Sequence, residues 1–214
     1  MKRYTHVIWD FNGTVLDDVR ACIDTMNTLL SARGLPLLTE ERYKEVFGFP
    51  VEEYYKRLGL DLTAEDFKTV LAPEWVEQYL KNSARATLFP GVQALSESLR
   101  RAGIRQSILS ASHSDMLAEQ LSERGALDWF DEIWGTDSIH AYGKTALGAA
   151  WKEAHPNDRA VLLGDTEHDF EVAREIGADC ILVAAGHYSE ARLRRCGVTV
   201  ASDLTECLSL LLGE

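Results

Sequence analysis

Near its start the chain carries a short apolar run, Val7-Ile8-Trp9, that stops abruptly at Asp10 and gives way to Gly13-Thr14. An unbroken apolar run bounded by turn residues suits a strand buried on both faces, as in a parallel sheet. From Asp17 the period changes. Val19, Ile23, Met26 and Leu30 recur at helical spacing, and Gly34 stands where a helix would stop. Thr39 and Thr63 are placed to cap further helices, Thr63 with Asp66 three residues on. The loop Phe47-Gly48-Phe49-Pro50 precedes a short helix bearing Val51, Tyr54, Tyr55 and Leu58, and Trp75, Val76, Tyr79 and Leu80 mark another. Residues 17–85 therefore read as all-helical.

After Leu88-Phe89-Pro90-Gly91 strands and helices alternate. Apolar strands are expected at 106–109, 132–134, 160–163, 180–183 and, weakly, 198–200. Between them lie helical stretches marked by Val92 and Leu95, Leu117 and Leu121, Leu147 and Trp151, and Val172 and Ile176, with a last helix from Asp203. Ser112 or Ser114 would cap the helix carrying Leu117. Such alternation implies right-handed crossovers and a parallel sheet. The expected class is α/β, with a core of residues 1–16 and 86–214 and an inserted helical cap domain, residues 17–85. The insert leaves just past Asp10. It would lie over the carboxyl ends of the strands, where ligands bind in open α/β sheets.

Composition narrows the partners. A formal net charge of −12 argues against nucleic acid, whose phosphates attract basic surfaces. No apolar run reaches the length of a membrane span, and Met1-Lys2-Arg3 does not continue as a signal peptide. The four cysteines are scattered without a C-x-x-C pair and read as reduced thiols. The expectation is a cytoplasmic protein, monomer or homodimer, with a small phosphorylated substrate and no nucleic-acid or membrane partner. An anionic substrate would need a local cation to overcome this acidic field.

Four groups fall at strand ends or in the loops that follow: Asp10 with Asn12, Ser110, Lys144, and the pair Asp165 and Asp169. Singly, each reads as a cap, a turn former or a solvated side chain. Jointly they suggest more. Carboxylates converging on one crevice raise one another's pKa unless a cation neutralises them. Hard oxygen ligands left partly open to water suit Mg²⁺. Beside such an ion Asp10 can attack phosphorus, Ser110 can hydrogen-bond a phosphoryl oxygen, and Lys144 can hold both in place.

Asp10-x-x-Gly13-Thr14, Ser110, Lys144 and Gly164-Asp165-x-x-x-Asp169 resemble the four motifs of the haloacid dehalogenase-like hydrolase superfamily. The helical insert, Leu88-Phe89-Pro90-Gly91-Val92 and the loop Phe47-Gly48-Phe49-Pro50 resemble its phosphoglycolate phosphatase-like branch. The resemblance implies a Rossmann-like core and Mg²⁺ held by Asp10, the Asn12 carbonyl, Asp165 and Asp169. It implies Asp10 as nucleophile, Ser110 and Lys144 as phosphate ligands, and Gly13, Thr14, Ala111, Phe47 and Gly48 at the substrate. The implied activity is Mg²⁺-dependent hydrolysis of a small, phosphoglycolate-like phosphate ester.

One position departs from the pattern. Phosphatases of this family usually carry a second Asp where this chain has Asn12, acting as general acid and then base. An amide donates a hydrogen bond but no proton, and a positioned acid–base group is worth roughly 10²–10⁴-fold in rate. His113, His168 and His187 could stand in, although each also reads as a loop residue. A slow enzyme or a non-catalytic phosphoryl-ligand binder is the alternative. A dehalogenase is disfavoured by the acidic pair, and a phosphonatase by Val51 where its Schiff-base lysine would stand. A phosphoglucomutase-type isomerase depends on the missing acid–base group, and a receiver domain has its acidic pair first in sequence. Arg20, Arg42 and Arg57 are candidates to meet a substrate carboxylate, and equally read as exposed helix residues.

Overall fold

The computed structural model describes residues 4–136 and 144–213. Its centre is β1 (His6–Trp9), whose four residues are all buried. Paired in parallel on both sides, β1 lies between β4 (Arg105–His113) and β6 (Ala160–Gly164) in a six-stranded sheet of order β5-β4-β1-β6-β7-β8. The remaining strands are β5 (Glu132–Thr136), β7 (Asp179–Val183) and β8 (Thr199–Ala201). Alternation along β1 divides the core. Val7 and Trp9 join a cluster with Val92, Leu95 and Leu99 of α5 (Val92–Arg101) and Leu117 and Leu121 of α6 (Ser114–Glu123). Leu204 and Leu211 of α10 (Leu204–Leu212) lie in the same layer. Ile8 points the other way, to Trp151 of α7 (Lys144–Ala154) and Val172 and Ile176 of α8 (Glu167–Ile176). The result is the expected α/β, Rossmann-like arrangement. Because the strands beside β1 belong to different halves of the chain, its carboxyl end opens on a crevice.

The insert leaves and returns through a two-stranded antiparallel stem, β2 (Leu16–Asp17) against β3 (Thr87–Leu88). Between them stand α1 (Val19–Ala32), α2 (Glu40–Val46), α3 (Val51–Arg57) and α4 (Ala72–Ser83). They bury an apolar cluster of their own, with Ile23, Met26, Leu29, Tyr43, Tyr54 and Leu71 among its members. Arg33 ties the cluster's edge by reaching Glu65 and Glu74, each at 2.6 Å.

Two local expectations differ from the structure. Thr63 caps no helix: its N–H and hydroxyl donate to Asp61 Oδ1, and Asp66 instead caps a π-helical turn, Phe67–Leu71, by accepting from Thr69. A closer acceptor two residues upstream captured the threonine. Nor does a serine cap α6. Strand β4 runs on through Ser110 to His113, its register with β5 shifting between Leu109 and His113, and the His113 ring accepts from Asp115 N–H at 3.3 Å. Among the described residues no helix is long and apolar enough to cross a membrane. The four cysteines are free.

Candidate active site

Asp10 follows directly on β1. Its N–H donates to Leu163 O at 2.8 Å, continuing the sheet, and the residue is 8% exposed. Lys144, the first residue of α7, is itself buried and donates from Nζ to both Asp10 Oδ1 and Asp169 Oδ1. Asp169 is fixed by its own helix start. Its Oδ2 accepts from the N–H groups of Asp165 and Thr166, at 3.2 and 3.0 Å, and from the Thr166 hydroxyl at 2.7 Å. That carboxylate packs so tightly on the turn that a Cβ at Gly164 would fall 2.3 Å from Asp169 Cγ. Asp165 accepts from His187 N–H at 2.5 Å and from the Thr14 hydroxyl at 3.3 Å. Gly13, at φ +78°, lies against it, and a Cβ there would stand 2.3 Å from Asp165 Oδ2.

Oxygens of Asp10, Asp165 and Asp169 all lie within 4.8 Å of one another. Burial, with Lys144 opposing and the neighbouring carboxylates adding, holds the Asp10 carboxyl well above the usual range. Burial likewise pushes Asp165 up to about 6. Asp169 goes the other way, because Lys144 overrides its burial. Burial disfavours the Lys144 charge, but Asp10 and Asp169 outweigh it and raise the ammonium's pKa. Three buried carboxylates facing one lysine leave surplus negative charge on hard oxygen donors. That donor set fits a Mg²⁺-like ion.

Asn12 is committed elsewhere. Its Nδ2 donates to Asp18 Oδ2 and to the Tyr79 hydroxyl, both at 2.8 Å, while its Oδ1 accepts from Ser112 Oγ at 2.9 Å. Asp18 is buried and also accepts from Tyr79 OH at 2.7 Å and Gly13 N–H at 3.0 Å. It faces His187 Nε2 at 3.3 Å, and the other ring nitrogen lies 2.9 Å from Tyr43 OH. Burial alone would lower the His187 pKa, but Asp18 overrides it and pushes it up to about 9. Asp18 is in turn lowered, His187 and the Tyr79 and Asn12 donors outweighing its burial. A buried ion pair thus lies behind the site, held on the insert side by Tyr43 of α2 and Tyr79 of α4.

This pair has a consequence for stability. His187 has a raised folded pKa, so its contribution is fully present below the ordinary histidine value and is lost as pH rises through about 9. Urea denaturation should show stability falling between pH 7 and pH 9.5, and His187→Gln should flatten that fall. An unchanged slope in the variant would exclude the ion pair as its source.

The crevice itself is a cavity of about 100 Å³, lined by Asp10, Ser110, Lys144, Asp165 and Asp169 and closed from the insert by Phe47 and Phe49. Arg192 holds this aromatic loop. Its Nη1 donates to the carbonyls of Phe47 at 2.7 Å and Lys44 at 3.0 Å, and its guanidinium stacks over Tyr188 at 3.4 Å.

The sequence-derived residues therefore divide. Asp10, Asn12, Ser110, Ala111, Lys144, Phe47, Asp165 and Asp169 all line the cavity. Gly13 and Thr14 do not; they face a neighbouring pocket with Phe89 and Pro90 and serve to position Asp165. Gly48 packs against Tyr188 and Arg192 instead. Among the histidines, His168 and His187 line the cavity and His113 caps α6. Arg20 pairs with Asp24, Arg42 with Glu45, and Arg57 donates to Val46 O, so none of the three reaches the cavity. Asp18, Tyr43, Tyr79, Ser112 and Arg192 were not anticipated at the site, and Phe49 entered only as part of the loop Phe47-Gly48-Phe49-Pro50. Only the adjacent acids Asp17-Asp18 gave a signal, and they read equally well as a helix start.

The model of the haloacid dehalogenase-like hydrolase family matches residues 7–183. The chain is 26% identical over 184 residues to the tyrosine-protein kinase PtkA of Mycobacterium tuberculosis, covering 85% of this chain but only 62% of that protein's length. It is 28% identical over 218 residues to a phosphoglycolate phosphatase of Chromobacterium violaceum, covering 96% and 93% of the two chains. Among solved structures, the haloacid dehalogenase-like hydrolase SP0104 of Streptococcus pneumoniae shares the fold at a TM-score of 0.84 and 21% identity, over 98% of this chain and 99% of that one. The M. tuberculosis PtkA structure does so at 0.81 and 24%, over 98% of each. With that match running from β1 to the end of β7, the chain belongs to the haloacid dehalogenase-like hydrolase family.

Proposed function

We propose that the chain is a Mg²⁺-dependent phosphatase acting on a small phosphorylated metabolite through an aspartyl-phosphate at Asp10. The observation that carries this reading is the convergence of Asp10, Asp165 and Asp169 within 4.8 Å around a lysine that bridges two of them. Asp10, Asp165, Asp169 and the Asn12 carbonyl would hold the ion, which when bound neutralises phosphoryl charge. The Asp10 carboxylate attacks phosphorus in line with the departing oxygen. Lys144 keeps that carboxylate oriented and meets the transferring phosphoryl group, with Ser110 supplying a further hydrogen bond. Residues 17–85 act as a cap that excludes bulk water while Phe47 and Phe49 close the mouth. The relatives named phosphoglycolate phosphatase make phosphoglycolate the reference substrate. Free cysteines and an acidic surface fit a cytoplasmic enzyme without a nucleic-acid partner.

The test is hydrolysis of p-nitrophenyl phosphate by the full chain with MgCl₂ and with EDTA. Turnover that EDTA abolishes and Mg²⁺ restores is expected; metal-independent turnover would refute the reading. A second reading, a phosphoryl-ligand binder of little or no activity, is favoured by the amide at Asn12 and predicts tight phosphate binding without turnover. Thermal shift supplies an independent check. Asp10 and Asp165 have raised folded pKa values, so their stabilising contribution is present at low pH and lost as pH rises, for Asp165 through about 6. A cation that replaces those protons restores it. Mg²⁺ should therefore raise Tm more at pH 7.5 than at pH 5.

A further inference from the structure

A phosphatase must also release the oxygen that leaves phosphorus. An alkoxide, whose alcohol has a pKa near water's, about 16, needs a proton as it leaves. A phenoxide, at about 10, departs without one far more readily.

Among the described acids that line this cavity, only His168 keeps a ring nitrogen outside the contacts that follow. The Asn12 amide has no proton to transfer, and its hydrogens are given to Asp18 and Tyr79. The Lys144 ammonium is engaged by two carboxylates, and both His187 ring nitrogens by Asp18 and Tyr43. The Thr166 hydroxyl donates to Asp169. His168 has its Nδ1 3.3 Å from Glu171, and its ring lies tilted against Phe49 with centroids 5.1 Å apart. What the mouth does offer is aromatic surface. Phe49 is 46% exposed and packs edge-on to Phe47 at 5.7 Å, which in turn meets the His187 ring at 5.3 Å. At about 100 Å³ the cavity falls well below the roughly 300 Å³ at which ligand pockets begin, so most of a substrate beyond its phosphoryl group lies against this mouth. No arginine is among the described residues lining it, so a substrate carboxylate has no guanidinium partner there.

We infer that the substrate is an aryl phosphate, its ring seated against Phe47, Phe49 and His168 and expelled as a phenoxide that stacks on the His168 ring and takes no proton from the described residues. This rests on the phosphatase reading. In the first step an Asp10 oxygen bonds to phosphorus, the phosphorus–aryl oxygen bond breaks, and the phenoxide leaves with the electron pair and is protonated by solvent. In the second, water attacks the aspartyl-phosphate, Asp10 is regenerated as carboxylate, and dihydrogen phosphate carries off both of the water's protons.

The experiment is a leaving-group series: kcat/KM with Mg²⁺ for substituted phenyl phosphates, from acidic nitrophenols to phenol itself, then for glycerol phosphate and phosphoglycolate. The expected result is a steep fall with leaving-group pKa, reaching at least ~10²-fold between nitrophenyl and alkyl esters. Phe49→Ala should raise KM for phenyl phosphate by ~2–10-fold and for acetyl phosphate by less. A flat series, or alkyl esters as good as aryl ones, would show that some residue supplies the proton and would overturn the inference while leaving the phosphatase reading intact. An equal effect of Phe49→Ala on both substrates would overturn the aromatic seat. Absence of p-nitrophenyl phosphate turnover would remove both.

Discussion

Asp10→Asn should reduce hydrolysis of p-nitrophenyl phosphate by at least ~10³-fold while leaving the protein folded. The amide is isosteric, and its oxygen can still accept from Lys144, so the shape of the crevice is retained. On the proposed mechanism, what disappears is the carboxylate that bonds to phosphorus where Lys144 and the acidic pair converge. Stability should move the opposite way. The Asp10 carboxyl is held well above its ordinary pKa mainly by burial, with Asp169 and Asp165 adding to it, so its ionised form is a liability at pH 7. Removing that charge should leave Tm unchanged or higher in the absence of metal, and should shrink the Mg²⁺-induced shift. Kinetics and thermal melts on the same two proteins check both halves. A loss below 10-fold would exclude Asp10 as the nucleophile, and a large fall in Tm would mean that activity was lost through unfolding.

Sequence reading reached as far as local patterns reach. The wholly apolar Val7-Ile8-Trp9, the strand-and-helix alternation after Pro90 and the carboxylates at strand ends are local facts, and they were enough to bring Asp10, Lys144, Asp165 and Asp169 to one crevice. Contacts between distant side chains left no local trace. Tyr43 meets His187 across 144 positions, and Tyr79 meets Asp18 across 61. In sequence Tyr79 sits at ordinary helix spacing and reads as core, and nothing local marks Tyr43. Thr14 shows the converse: its place in a recognisable motif suggested contact with substrate, whereas its hydroxyl is given to Asp165. Ser110 was expected just past a strand end but lies within β4 at a register shift, which apolar periodicity cannot reveal because the irregularity depends on the partner strand.

Asn12→Asp is the substitution with the largest expected effect on stability, because the amide answers a demand that lies outside the crevice. Its Nδ2 donates to Asp18 Oδ2 at 2.8 Å, and a carboxylate in its place would set a half-buried anion at hydrogen-bond distance from the buried Asp18. They cannot both ionise, so the pair must retain a proton at pH 7. Raising one carboxyl by two to three pKa units costs about 3–4 kcal/mol, at ~1.36 kcal/mol per unit. The raised folded pKa fixes the sign: the deficit is absent below the ordinary carboxylate range and grows as pH rises through the raised value. Urea denaturation of wild type and variant should therefore differ little at pH 4.5 and by about 3 kcal/mol at pH 8; equal deficits at both would point to packing instead. The shared proton also bears on catalysis. A carboxyl that must share its proton with Asp18 is poorly placed to deliver it to a leaving alkoxide, so the single variant should gain little on glycerol phosphate. Asn12→Asp with Asp18→Asn returns a donor to the pair, and should recover stability relative to Asn12→Asp alone, minus what His187 loses with its counter-ion. A coupling energy of zero in that double-mutant cycle would show that the Asn12–Asp18 contact does not hold residue 12 in its present chemistry.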